Sequence, residues 1–128
     1  MAVSRETMEL FDRAHHAGLR AGHESTPTPM VVGTPTELFG NEIDWDKSTY
    51  HVSDGVCGFA GVVIKPARGK LVSYLKSKGL GWKHYYGGWN YPVRDFGQSL
   101  ARKEAYAEAF SKVLGEVGIH SYVDSRLD

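Results

Sequence analysis

Two periods of apolar and polar positions alternate along the second half of the chain. Over residues 56–64 the period is two. Val56, Gly58, Ala60, Val62 and Ile64 share one face, and Cys57, Phe59, Gly61 and Val63 share the other. Both sets are apolar, which marks a central strand covered on both sides. Residues 68–78 switch to helical spacing, with Leu71, Val72, Tyr74 and Leu75 as the stripe. Gly79 stops that helix, and Lys76 and Lys78 suit its negative end. Residues 82–86 and 90–96 are β-rich and flank Gly87-Gly88, a hairpin signature. Residues 99–117 read as a long helix. Ala105, Phe110, Val113, Leu114 and Val117 form its stripe, Tyr106 lies at the margin, and Arg102, Lys103, Glu104 and Glu108 lie outside. Gly118 closes that helix, residues 119–123 form a last short strand, and the tail from Asp124 to Asp128 is charged. The order is βαββαβ. It predicts an α+β, ferredoxin-like fold: a four-stranded antiparallel sheet with two helices on one face. The second face of strand 56–64 then needs a cover, supplied by the N-terminal region or by a partner.

The first half has weaker patterning. Residues 4–19 predict a helix capped by Ser4, with Thr7 at the position where a capping box would need Glu or Gln. Met8, Phe11, His15 and Leu19 make its stripe, and Gly18 and Gly22 are expected to end it. Pro27 and Pro29 hold the next stretch extended. Residues 30–32 and 48–52 read as short strands. The rest of 33–54 is rich in turn residues but carries Leu38, Phe39, Ile43, Trp45 and Tyr50, as a strap packed on the domain would. The expected organisation is a single domain: a helix and strap over 1–55 on a core over 56–128.

Composition narrows the classes. Lys plus Arg and Asp plus Glu each number 15, so the chain carries no net charge, whereas a duplex-binding domain usually has a basic excess. The single cysteine rules out an intramolecular disulfide and suits a reducing cytoplasm. No apolar run is long enough to span a membrane, and the N-terminus is too polar for a signal peptide.

Catalytic signatures are missing. There is no His-Glu-x-x-His, Cys-x-x-Cys, Gly-x-Ser-x-Gly or phosphate loop. Cys57 sits in an apolar strand and reads as a buried structural thiol. Asp44 and Asp46 resemble half a calcium loop without its glycine and closing glutamate. No catalytic residue, metal ligand or cofactor is assigned. The densest candidate is the hairpin: Trp82, Lys83, His84, Tyr85, Tyr86, Trp89, Tyr91 and Arg94 combine amphipathic rings with donors, the chemistry of protein contact surfaces. The same rings could stack on single-stranded nucleic acid, and His84, His120 and Asp95 could serve a small metal-dependent hydrolase. Arg68 and Lys70 place two cations at a helix start, the unfavourable end of the dipole, and form a candidate anion contact.

Several strings carry a resemblance: Thr26-Pro27-Thr28-Pro29-Met30-Val31-Val32-Gly33, Asp54-Gly55-Val56-Cys57-Gly58-Phe59-Ala60, Ile64-Lys65-Pro66-Ala67, Tyr85-Tyr86-Gly87-Gly88, Gln98-Ser99 with Arg102-Lys103, Ala105-Tyr106-Ala107 and Ser125-Arg126-Leu127-Asp128. Together they resemble a family of small bacteriophage-encoded accessory proteins of unknown function, over about residues 14 to 128. The resemblance implies a setting, the cytoplasm of an infected bacterium, and a role in binding a host or antiviral-defence protein. It carries over no functional residue. A homodimer is a further expectation, because a second copy could cover the second apolar face.

Overall fold

The computed structural model describes residues 4–26, 30–33, 49–52 and 56–127. The elements are α1 (Arg5–Glu24), β1 (Met30–Gly33), β2 (Thr49–Val52), β3 (Gly58–Ile64), α2 (Lys70–Ser77), β4 (Trp82–Lys83), β5 (Trp89–Pro92), α3 (Leu100–Glu116) and β6 (Ser121–Leu127). β1 and β2 pair antiparallel with each other. The main sheet is open, antiparallel and four-stranded, ordered β4-β5-β3-β6, so the architecture is α+β. β3 is central, as its two apolar faces predict, and pairs with β5 from Gly61 opposite Pro92 to Ile64 opposite Trp89. On its other side it pairs with β6 from Gly58 opposite Leu127 to Ile64 opposite Ser121. The expected break at Pro27 and Pro29, and the strap except for β1 and β2, lie outside the described residues. No helix among the described residues is long and apolar enough to cross a membrane.

One core joins all three helices to one face of the sheet. Ala60, Val62 and Ile64 of β3 and Tyr91 of β5 meet Leu71, Val72, Tyr74 and Leu75 of α2 and Tyr106, Phe110 and Leu114 of α3. α1 lies on this same side. Its Phe11 ring packs against Tyr74, Tyr91 and Phe110, with centroids 5.4, 5.7 and 5.9 Å away. The N-terminal helix therefore does not cover the second face of the sheet, contrary to the expectation from sequence.

The helix ends follow local chemistry, then depart from it. Ser4 caps α1, its Oγ accepting from the Thr7 N–H at 3.2 Å. Ser99 caps α3. α1 runs through Gly18 and Gly22 to Glu24, because both glycines serve a close approach. A Cβ at Gly18 would stand 2.6 Å from the Tyr106 ring, and one at Gly22 would stand 2.2 Å from the Phe96 ring. Tertiary contact thus overrides the low helix propensity of glycine. Arg102 of α3 donates to the Gly22 carbonyl at 2.9 Å and the His23 carbonyl at 3.3 Å, covering the end of α1.

The face that α3 buries is turned from the stripe read in the sequence. Tyr106 and Ala107 are fully buried, Val117 is exposed, and Lys103 is buried. The Lys103 Nζ donates to the Gly58 carbonyl at 3.2 Å and lies 5.2 Å from the Phe59 ring centroid, which satisfies the ammonium. The Tyr106 hydroxyl sits between His15 Nδ1 at 2.5 Å and the Tyr91 hydroxyl at 3.1 Å. Burial pushes the Tyr106 phenol far up, with the neighbouring Tyr91 adding to it, and burial likewise raises Tyr91. Cys57 bridges to Ser99 and is exposed, so it is not the buried thiol that its apolar neighbours suggest.

Candidate functional site

The face of the sheet away from the helices follows from register. Directly opposed residues share a face, so Phe59, Gly61 and Val63 of β3 lie with Asn90 and Pro92 of β5, Trp82 of β4, and Tyr122, Asp124 and Arg126 of β6. Trp89 and Tyr91, one residue out of phase with Asn90, face the helices. Tyr91 is buried in the core. Trp89 packs at the core's border, its Nε1 donating to the Leu80 carbonyl at 2.9 Å and the Lys76 Nζ 5.1 Å from its ring centroid. These two members of the predicted aromatic set are structural.

The rest of the hairpin folds over the open face. His84 N–H donates to the Gly88 carbonyl at 2.9 Å, and Gly87 N–H returns to the His84 carbonyl at 3.0 Å. From there the His84 Nε2 reaches Asp124 Oδ2 at 2.7 Å, and its ring meets the Tyr122 ring edge-on at 6.2 Å. β4 and β6 are the opposite borders of the sheet. A contact from the end of one to the middle of the other requires the turn to cross β5 and β3. Gly88 permits this: at φ +92° it sits so close that a Cβ would stand 2.8 Å from the Ile64 carbonyl and 2.9 Å from Val63 Cγ1. Val63 is fully buried although it points away from the helices.

His84 acts as a clasp. The Tyr86 N–H donates to its Nδ1 at 3.2 Å, which makes Nδ1 the acceptor and places the proton on Nε2, donated to Asp124. Both ring nitrogens are thereby engaged, leaving no lone pair for a base or metal ligand. His120 is exposed and Asp95 is half-buried. Among the described residues no group of three or more His, Cys, Asp or Glu is placed to hold a metal ion.

Beyond the turn, the open face forms a depression of about 360 Å³. Phe59, Trp82, Tyr85, Tyr86, Pro92 and Arg126 are among its walls. Trp82 is 55%, Tyr85 90% and Tyr86 78% exposed. Tyr85 and Tyr86 meet edge to face at 4.9 Å, and the Arg126 guanidinium lies 5.3 Å from the Phe59 ring centroid. Lys83 and Arg94 are exposed on the same hairpin. Of the predicted contact set, Trp82, His84, Tyr85 and Tyr86 come together around this depression. Phe59, Pro92, Asp124 and Arg126 join it without having been predicted, although the period of two already separated Phe59 from the helix-facing set.

Arg68 and Lys70 are exposed at the start of α2, whose cap Gly69 offers no side-chain acceptor. They line a separate cavity of about 600 Å³ with Arg13, Glu6, Glu9 and Leu10, among others. Two carboxylates there stand against three cations, so the cavity is of mixed charge.

No family model, curated protein or solved structure matches the chain. Function is therefore read from the geometry.

Proposed function

We propose that this chain is a non-enzymatic binding protein. It recognises a protein partner through the aromatic depression on the open sheet face, with Trp82, Tyr85, Tyr86 and Phe59 as anchors. The observation that carries this reading is the near-complete exposure of two adjacent tyrosines on a turn clasped at His84–Asp124. Exposed rings held in a fixed place lose little freedom on binding, which is why such rings dominate contact energetics. Arg126, in the wall of the depression, sets register and discriminates between partners. The setting is the cytoplasm of an infected bacterium, where the chain acts as a phage accessory protein that occludes a host or antiviral-defence protein. The scaffold is ferredoxin-like, a reading supported by the element order βαββαβ and the strand order β4-β5-β3-β6.

The test compares the wild type with a Trp82→Ala, Tyr85→Ala, Tyr86→Ala triple variant in affinity capture from infected-cell lysate. The expected result is a specific protein retained by the wild type and lost by the variant, with unchanged far-ultraviolet circular dichroism. Equal retention by the two proteins would sink the reading. Capture of single-stranded nucleic acid with a steep salt dependence would replace it with a stacking platform.

A further inference from the structure

β6 borders the main sheet, and its pairing with β3 determines which backbone groups are engaged. The Lys65 N–H donates to the His120 carbonyl at 3.1 Å. Alternation along the antiparallel ladder then turns Tyr122, Asp124 and Arg126 toward β3, and Ser121, Val123, Ser125 and Leu127 outward. Among the described residues no strand pairs with that outer edge. It is seven residues long and free of proline, whereas β4 at the other border has two residues. A long edge left unpaired among the described residues offers its backbone groups as a template for another strand.

We propose that β6 pairs antiparallel with β6 of a second copy of this chain, about a two-fold axis through Ser125. Side-chain charge selects this register. Only outward-turned residues can exchange hydrogen bonds, so Ser125 meets its own counterpart and Val123 meets the partner's Leu127. Asp124 then stands opposite the partner's Arg126, and Arg126 opposite the partner's Asp124. These are non-hydrogen-bonded pairs, where side chains approach closest. Moving the axis to Asp124 opposes two carboxylates, moving it to Arg126 opposes two guanidiniums, and moving it to Val123 leaves Asp124 facing Tyr122. Asp124 keeps half its side-chain surface exposed beyond the His84 clasp, and Arg126 is exposed. Leu127, 67% exposed in one copy, gains Val123 as an apolar neighbour. The dimer joins the two open faces into one continuous surface.

A single strand pair is a small interface, so association is expected at micromolar concentrations. Sedimentation velocity over about 1–100 µM spans that range. The wild type is expected to dimerise. Arg126→Asp and Asp124→Lys are each expected to weaken the dimer at least about tenfold, equivalent to about 1.4 kcal/mol, because each variant opposes like charges. An equimolar mixture of the two restores both ion pairs and is expected to recover the dimer as a heterodimer. In a Cys57→Ser background, Ser125→Cys is expected to form a disulfide-linked dimer on oxidation. Leu127→Cys, whose counterparts lie four residues out of register, is expected to remain monomeric. A monomeric wild type throughout, a dimer indifferent to both charge changes, or Leu127→Cys linking as fast as Ser125→Cys would each overturn the proposal. Should Asp124→Lys misfold through loss of the His84 clasp, Arg126→Asp and the cysteine pair still decide it.

Discussion

On the helix side of the sheet, Val62, Tyr106, Phe110 and Leu114 are sealed from solvent. On the other side, carried by the same strands, Phe59 and Trp82 are half exposed, and Tyr85 and Tyr86 stand in water. Both sides are rich in rings, but the rings differ in what they touch. Inward rings meet other rings at 5.0–6.5 Å in a continuous cluster. Outward rings meet few others, Tyr85 with Tyr86, and Tyr86 and Tyr122 with His84, and otherwise border cations and solvent. On these strands an aromatic residue is thus packed against the core or left at the surface according to strand phase, as Trp89 and Trp82 on one hairpin demonstrate.

This contrast can be tested from the largest effect downward. Phe110→Ala removes a fully buried ring shared by α1, α3 and β5 and is expected to cost about 3–5 kcal/mol in urea unfolding. Gly18→Val drives a branched side chain into the Tyr106 ring and should cost about 1–3 kcal/mol, read from the same unfolding curves. Tyr106 and Tyr91 predict an alkaline limit. Their phenols are raised in the folded chain, so the folded state holds protons that the unfolded state releases near its ordinary value of about 10. Their contribution is complete below that pH and declines as pH rises above it, by up to about 1.4 kcal/mol per pH unit for each retained proton. A denaturation midpoint that does not change between about pH 9 and about pH 11 would contradict this. At the far end, Tyr85→Ala and Tyr86→Ala should each change stability by less than about 0.5 kcal/mol while abolishing partner capture. A large stability loss there would show that the two faces are less distinct than they look.

Much of this was legible in the residues, and the misses share a cause. β3 was readable as a central strand because both phases of 56–64 are apolar, and α2 was readable because its stripe is unambiguous. Gly18 and Gly22 read as helix stops in the sequence because glycine has two uses, and only the positions of Tyr106 and Phe96 tell them apart. β6 runs to Leu127, past the predicted end at Val123, because the outer half of a border strand is polar and resembles a tail. The clasp was invisible, since His84 and Asp124 are forty residues apart and nothing local links them. The two phases of the hairpin were readable in principle by the period of two, once its pairing was known.

The start of α3 has a practical consequence. Arg102 holds the carbonyls where the chain leaves α1, and the Leu100 N–H holds the Val56 carbonyl where it returns, at 3.1 Å. The end of α1 and the approach to β3 are thus pinned within one turn of α3, so damage to that turn would loosen both at once.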